Sequence, residues 1–112
     1  MVDLELDELK REFLAEAEEK IREIESKLSD RSLEALERVS YLAHQLKGSG
    51  GSLGFPRISD VARSMHRELN LFLDDERVDR PTPAELSRKI VALTDELARE
   101  VHSAACPASS SS

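Results

Sequence analysis

The chain is predicted to be all-α, an antiparallel four-helix bundle, and three observations lead there. Leu, Glu, Ala and Arg dominate a composition with only 4% aromatics and no tryptophan, so a core of aliphatic side chains carried on helices is expected. Four stretches repeat apolar residues at the three-and-four spacing of one helical face. Between them fall polar breaks and the Gly, Pro and Ser/Thr signals that start and stop helices. A length of 112 residues suits a single core, assigned to residues 1–105.

The first helix is expected from about Leu4 to Leu28, with Leu6, Leu9, Phe13, Ala17, Ile21, Ile24 and Leu28 on its stripe. Its first few residues are free to bend off as a short extra N-terminal turn. Charged residues such as Glu16, Glu19, Lys20 and Glu23 lie mostly off the stripe and read as a solvated face. Ser32 is suited to cap a second helix carrying Leu36, Val39, Ala43, Leu46, Gly50 and Leu53. Gly54 can close that helix, and Pro56 fits the first turn of a third, with Ile58, Val61, Ala62, Met65, Leu69 and Phe72 inward. The segment from Asp74 to Pro81 is polar. Thr82-Pro83-Ala84-Glu85 is a capping box, and Leu86, Ile90, Leu93, Leu97 and Val101 follow as the fourth stripe. Residues 106–112 have no pattern and are expected to be a disordered or appended tail.

Charge and composition remove several functions. A net charge of −7 disfavours nucleic acid or an anionic membrane as the main partner, since either needs a concentrated basic face. The single cysteine, Cys106, can form neither an internal disulfide nor a Cys-type zinc site. No apolar run approaches the roughly 20 residues that span a bilayer, and the N-terminus is acidic where a signal peptide is basic. A cytoplasmic, monomeric protein is expected.

The segment from Tyr41 to Phe55 is unusual, because it holds all four glycines of the chain in a stretch otherwise patterned as helix. Each interior Gly costs up to about 1 kcal/mol relative to Ala. On a helical wheel His44 points about 130° from the centre of the core stripe. Lys47 lies about 60° from it on one side and Gly48 about 40° on the other, with Ser40 and Gly51 on the same strip. An outward imidazole whose ordinary pKa is about 6.5 has a nucleophilic ring nitrogen at neutral pH. A lysine beside it suits an anionic group in transfer, and a missing side chain at Gly48 leaves room for that group or its donor.

The run His44-Gln45-Leu46-Lys47-Gly48-Ser49-Gly50-Gly51-Ser52-Leu53-Gly54 resembles the motif H-x-[LI]-K-G-x-[AGS]-x-x-[LIF]-G of the histidine-containing phosphotransfer (HPt) domains of phosphorelays, and fits it at every fixed position. The flanking helices resemble the same family over about residues 5 to 103. The resemblance implies that His44 is phosphorylated through Nε2 by a receiver aspartate or a sensor or hybrid histidine kinase, and passes the group to a response-regulator receiver domain. It implies no cofactor and no nucleotide site on this chain, no ATP-dependent kinase activity of its own, and Mg²⁺ held by the receiver. Lys47 would neutralise the phosphoryl group, and Gly48 would make room for the docking receiver. Family members usually carry Glu or Gln 22 residues after the active histidine, to orient its ring. Here that position is His66, which could accept or donate such a bond when neutral but would repel a protonated His44 when charged.

Other readings are weaker. Di-iron bundles need Glu-x-x-His on two helices, whereas the residues three before His44, His66 and His102 are Tyr41, Arg63 and Arg99. His102 suits the negative end of the fourth helix. Gly50 and Gly51 fit either packing or docking. The alternative function is a non-catalytic helical-bundle adaptor that binds receiver or kinase domains, which has no use for an intact His44, Lys47 and Gly48. A free-standing module and a domain of a larger hybrid kinase both fit this layout.

Overall fold

A computed structural model of the chain describes residues 2–30, 32–74 and 81–105, with side chains from residue 5 onward. The expectations for residues 106–112, including Cys106, lie outside the described residues. Four helices follow one another: α1 Val2–Ser26, α2 Leu33–Ser52, α3 Pro56–Leu73 and α4 Pro83–Ala105, with no strand among the described residues. The turn just after α1 (Lys27, Leu28), the first half of α2 (Leu36, Val39) and the end of α3 (Leu69, Phe72) surround one cavity with the start of α4 (Pro83, Leu86). At the opposite end the turn from α2 to α3 meets the end of α4, through Gly54, Phe55, Glu100 and Ala104. Successive helices therefore run antiparallel in a four-helix bundle.

Local signals set the helix ends. The Ser32 hydroxyl accepts from the Ala35 amide at 3.2 Å. In α4 the capping box is reciprocal: the Glu85 amide donates to Thr82 Oγ1 at 3.1 Å and the Thr82 amide to Glu85 Oε1 at 2.9 Å. At the end of α2, Gly54 takes φ 87°, a left-handed conformation that favours glycine. The Phe55 amide then reaches back to the Gly50 carbonyl at 2.8 Å, and Pro56 opens α3 at once. This three-residue turn holds α3 close against α2.

The four stripes meet in one core that includes Phe13, Ala17, Ile24, Leu42, Leu46, Met65, Leu69, Leu97 and Val101, all buried. Leu36, Leu53, Phe72 and Leu93 pack at its margin. Two expectations are corrected at the start of α1. The helix runs unbroken from Val2, so no separate N-terminal turn is formed among the described residues. Leu6 and Leu9, expected in the core, are 40% and 51% exposed. They precede Phe13, whose ring stacks on Phe55 at the α2–α3 turn with centroids 5.4 Å apart, and so extend past the α2–α3 hairpin. Among the described residues no helix is long and apolar enough to cross a membrane.

Candidate functional site

His44 stands midway along α2 and is exposed. The neighbours Leu42, Ala43 and Leu46 are buried, so the backbone carrying the ring is anchored while the ring faces outward. The helical wheel divides its surroundings into two flanks. Ser40, Lys47 and Gly51 turn towards α3, and Tyr41, Gln45, Gly48 and Ser52 turn towards α1.

On the α3 flank the ring of His66 lies 5.1 Å from that of His44, centroid to centroid, tilted by 44°. The two histidines meet as packed rings, with no hydrogen bond between them among the described residues. His66 Nε2 instead faces Asn70 Nδ2 at 3.1 Å. Asn70 Oδ1 in turn accepts from the Ser40 hydroxyl at 3.1 Å. Ser40, expected on the outward strip, is buried because α3 covers it. Partial burial pushes the His66 pKa down, and the positive charge of Lys47 and then the neighbouring His44 push it the same way. His66 is thereby held towards its neutral form.

Lys47 is half-buried, and among the described residues no carboxylate pairs with its ammonium group. Its carbonyl accepts from the Ser59 hydroxyl of α3 at 2.8 Å, which ties the Lys47 turn of α2 to the first turn of α3. The cation therefore stands beside the histidine pair with its charge uncompensated by a direct partner.

The glycines separate by what a side chain would meet. At Gly50 a Cβ would lie 3.4 Å from the Ser59 amide nitrogen and 3.5 Å from the Phe55 carbonyl oxygen, so this residue serves the close approach of α2 and α3. At Gly51 it would meet only the Ser59 hydroxyl, at 3.4 Å. At Gly48 it would meet nothing within 4 Å. The internal packing thus has no need of a glycine beside His44, and the space it leaves opens outward.

On the α1 flank a shallow open groove is lined by His44, Gln45, Gly48 and Ser52 of α2 and by Glu16 and Lys20 of α1. The Lys20 ammonium is 3.7 Å from Glu16. Tyr41 is 51% exposed, held by Gln45, which donates to its hydroxyl at 2.9 Å, and by the Arg38 guanidinium 5.5 Å from its ring. No group of three or more His, Cys, Asp or Glu side chains able to hold a metal ion occurs among the described residues. His102 lies in the last turn of α4, in a separate groove with Glu18, Arg22 and Val101.

His44, Lys47, Gly48 and His66 are thus brought together at one surface. Sequence reasoning did not reach the role of Asn70. Its position one turn after His66 placed it on the same face, but only the crossing of α2 over α3 pairs it with Ser40. A search of curated proteins and one of solved structures returned no match to the chain. The family model of the Hpt domain matches residues 8–103, from early in α1 to the last turn of α4. With four helices, an outward histidine midway along the second and a match across nearly the whole bundle, the chain belongs to the Hpt domain family, the histidine phosphotransfer domains of phosphorelays.

Proposed function

We propose that His44 is the phosphoacceptor of a phosphorelay intermediate, which takes a phosphoryl group from a receiver aspartate or a histidine kinase and delivers it to a receiver aspartate. The observation that carries this reading is Gly48, which leaves open space beside an exposed His44 without any packing benefit inside the bundle. In the transfer step the Nε2 lone pair forms a P–N bond as the P–O bond of the aspartyl phosphate breaks and the carboxylate leaves. Return transfer reverses these two events. Lys47 offsets the charge of the phosphoryl group as it arrives, and the partner approaches over Gly48 and the α1 flank, where Tyr41 and Gln45 offer contact. This chain supplies the nucleophile and the docking face, while the receiver supplies the metal and most of the transition-state stabilisation.

The test is to incubate the protein with a panel of phosphorylated receiver domains and follow the label. Acid-labile, base-stable label on this chain, transferable back to an unphosphorylated receiver, is the expected result. Failure to take label from any receiver or kinase would contradict the proposal and leave the adaptor function.

A further inference from the structure

The chain of contacts from Ser40 through Asn70 to His66 fixes where protons can sit beside the phosphoacceptor. Ser40 is buried, and its hydroxyl donates to Asn70 Oδ1 at 3.1 Å. In this orientation the carbonyl end of the amide faces α2. The other end, Nδ2, is a donor with no acceptor capacity, and it lies 3.1 Å from His66 Nε2. A donor-only group can be satisfied there only by a ring nitrogen with a free lone pair. A proton on Nε2, in the other tautomer or in the imidazolium, would set N–H against N–H.

We infer that Ser40 and Asn70 are positioning residues that hold His66 as the neutral tautomer with its proton on Nδ1, packed against the ring of His44. The inference deepens the proposed function and rests on His44 being the phosphoacceptor. It changes the part that His66 can play. With its one lone pair occupied by Asn70, His66 cannot accept a hydrogen bond from the His44 ring, as a Glu or Gln at that position would. It contributes a neutral wall with a single N–H, and Lys47 stays the cation beside the histidine pair. A charged His66 would withdraw electron density from the neighbouring ring electrostatically and lower its nucleophilicity.

The surroundings of His66 allow the lock to be tested by titration as well as by tautomer. From α2 the groups facing it are His44 and Lys47. On α3, Arg63 one turn earlier pairs with Asp60 at 3.3 Å. The pair of Glu68 with Lys89 of α4 lies about 160° around α3 from His66. Asn70 is exposed apart from these contacts, so replacing it leaves the core intact.

Long-range ¹H–¹⁵N spectra of the unphosphorylated protein report which ring nitrogen carries the proton, independently of whether His44 ever takes a phosphoryl group. In the wild type, His66 is expected to show protonated Nδ1 and bare Nε2 at neutral pH. Asn70→Asp replaces the donor with an acceptor of the same size, and is expected to move the proton to Nε2 and the His66 titration midpoint upwards. Ser40→Ala frees the amide to turn over, and is expected to give a mixture of the two tautomers. A role limited to packing would move neither the tautomer nor the midpoint. A wild-type His66 protonated at Nε2, or unchanged tautomer and midpoint in both Asn70→Asp and Ser40→Ala, would overturn the inference. Far-ultraviolet circular dichroism identifies any variant that has not folded, and the other then decides.

Discussion

Gly48 weakens the helix that carries it, since a Cβ there would meet nothing within 4 Å and would be accommodated without strain. Gly48→Ala is therefore expected to stabilise the protein by up to about 1 kcal/mol. Gly48→Gln, which fills the approach to His44, is expected to slow phosphoryl transfer by at least about tenfold, or ~1.4 kcal/mol of barrier. Urea unfolding and transfer kinetics on the two variants check this opposition of stability and function. If Gly48→Gln transferred at the wild-type rate, the open space would have no part in the reaction. At His66 the expectation concerns pH. Burial and Lys47 lower its pKa in the folded protein, whereas the unfolded chain keeps the ordinary value of about 6.5. Above that value both states are neutral and the residue contributes nothing to pH dependence. As pH falls through the window below it, the unfolded chain takes up the proton first, so stability drops until the folded pKa is passed. Compared with His66→Gln, the wild type should lose stability on going from neutral to mildly acidic pH, and equal urea midpoints across that range would remove the effect.

Among the elements, α2 and α3 carry the site because they approach closely. Gly50 permits that approach, and the Schellman bond from Phe55 to Gly50 and the Ser59 bond to the Lys47 carbonyl hold it. Gly50→Leu is expected to force the helices apart at a cost of about 1–3 kcal/mol. It should also disturb the contact of His44 with His66, because the two rings stand on the two helices being separated. Unfolding by urea, with the His66 ring signals as a second readout, tests both; an unchanged midpoint would show that the glycine is not needed for packing. Much at this scale was legible in the sequence. Ser32, Gly54-Phe55-Pro56 and Thr82-x-x-Glu85 mark helix ends by chemistry that acts over three or four residues, and such local chemistry survives in any tertiary setting. Leu6 and Leu9 were misread for the converse reason. Their spacing continues the stripe of α1, but a stripe is buried only where a partner helix lies beside it, and α2 and α3 end at the turn around Phe55.

For the molecule as a whole, the fold followed from four stripes that must be hidden together, and the surface position of His44 followed from its angle to one of them. The grouping of His44, Lys47, Gly48 and His66 at one surface was legible because three lie within two turns of one helix and the fourth stands 22 residues on, where the resemblance to HPt domains draws attention to it. The pairing of Ser40 with Asn70 was not legible, because it depends on the crossing of two helices and on how a carboxamide turns between them. Nor could the spacing tell Gly50 from Gly48, which differ only in what the neighbouring helix brings within reach. The bundle acts as a rigid mount whose buried neighbours Ala43 and Leu46 hold one imidazole outward for a partner. The chain contains three histidines, so the central claim can be tested by substitution at each. Phosphohistidine label acquired from a phosphorylated receiver domain should vanish in His44→Ala and persist in His66→Gln and His102→Ala, whereas label retained by His44→Ala would contradict the account.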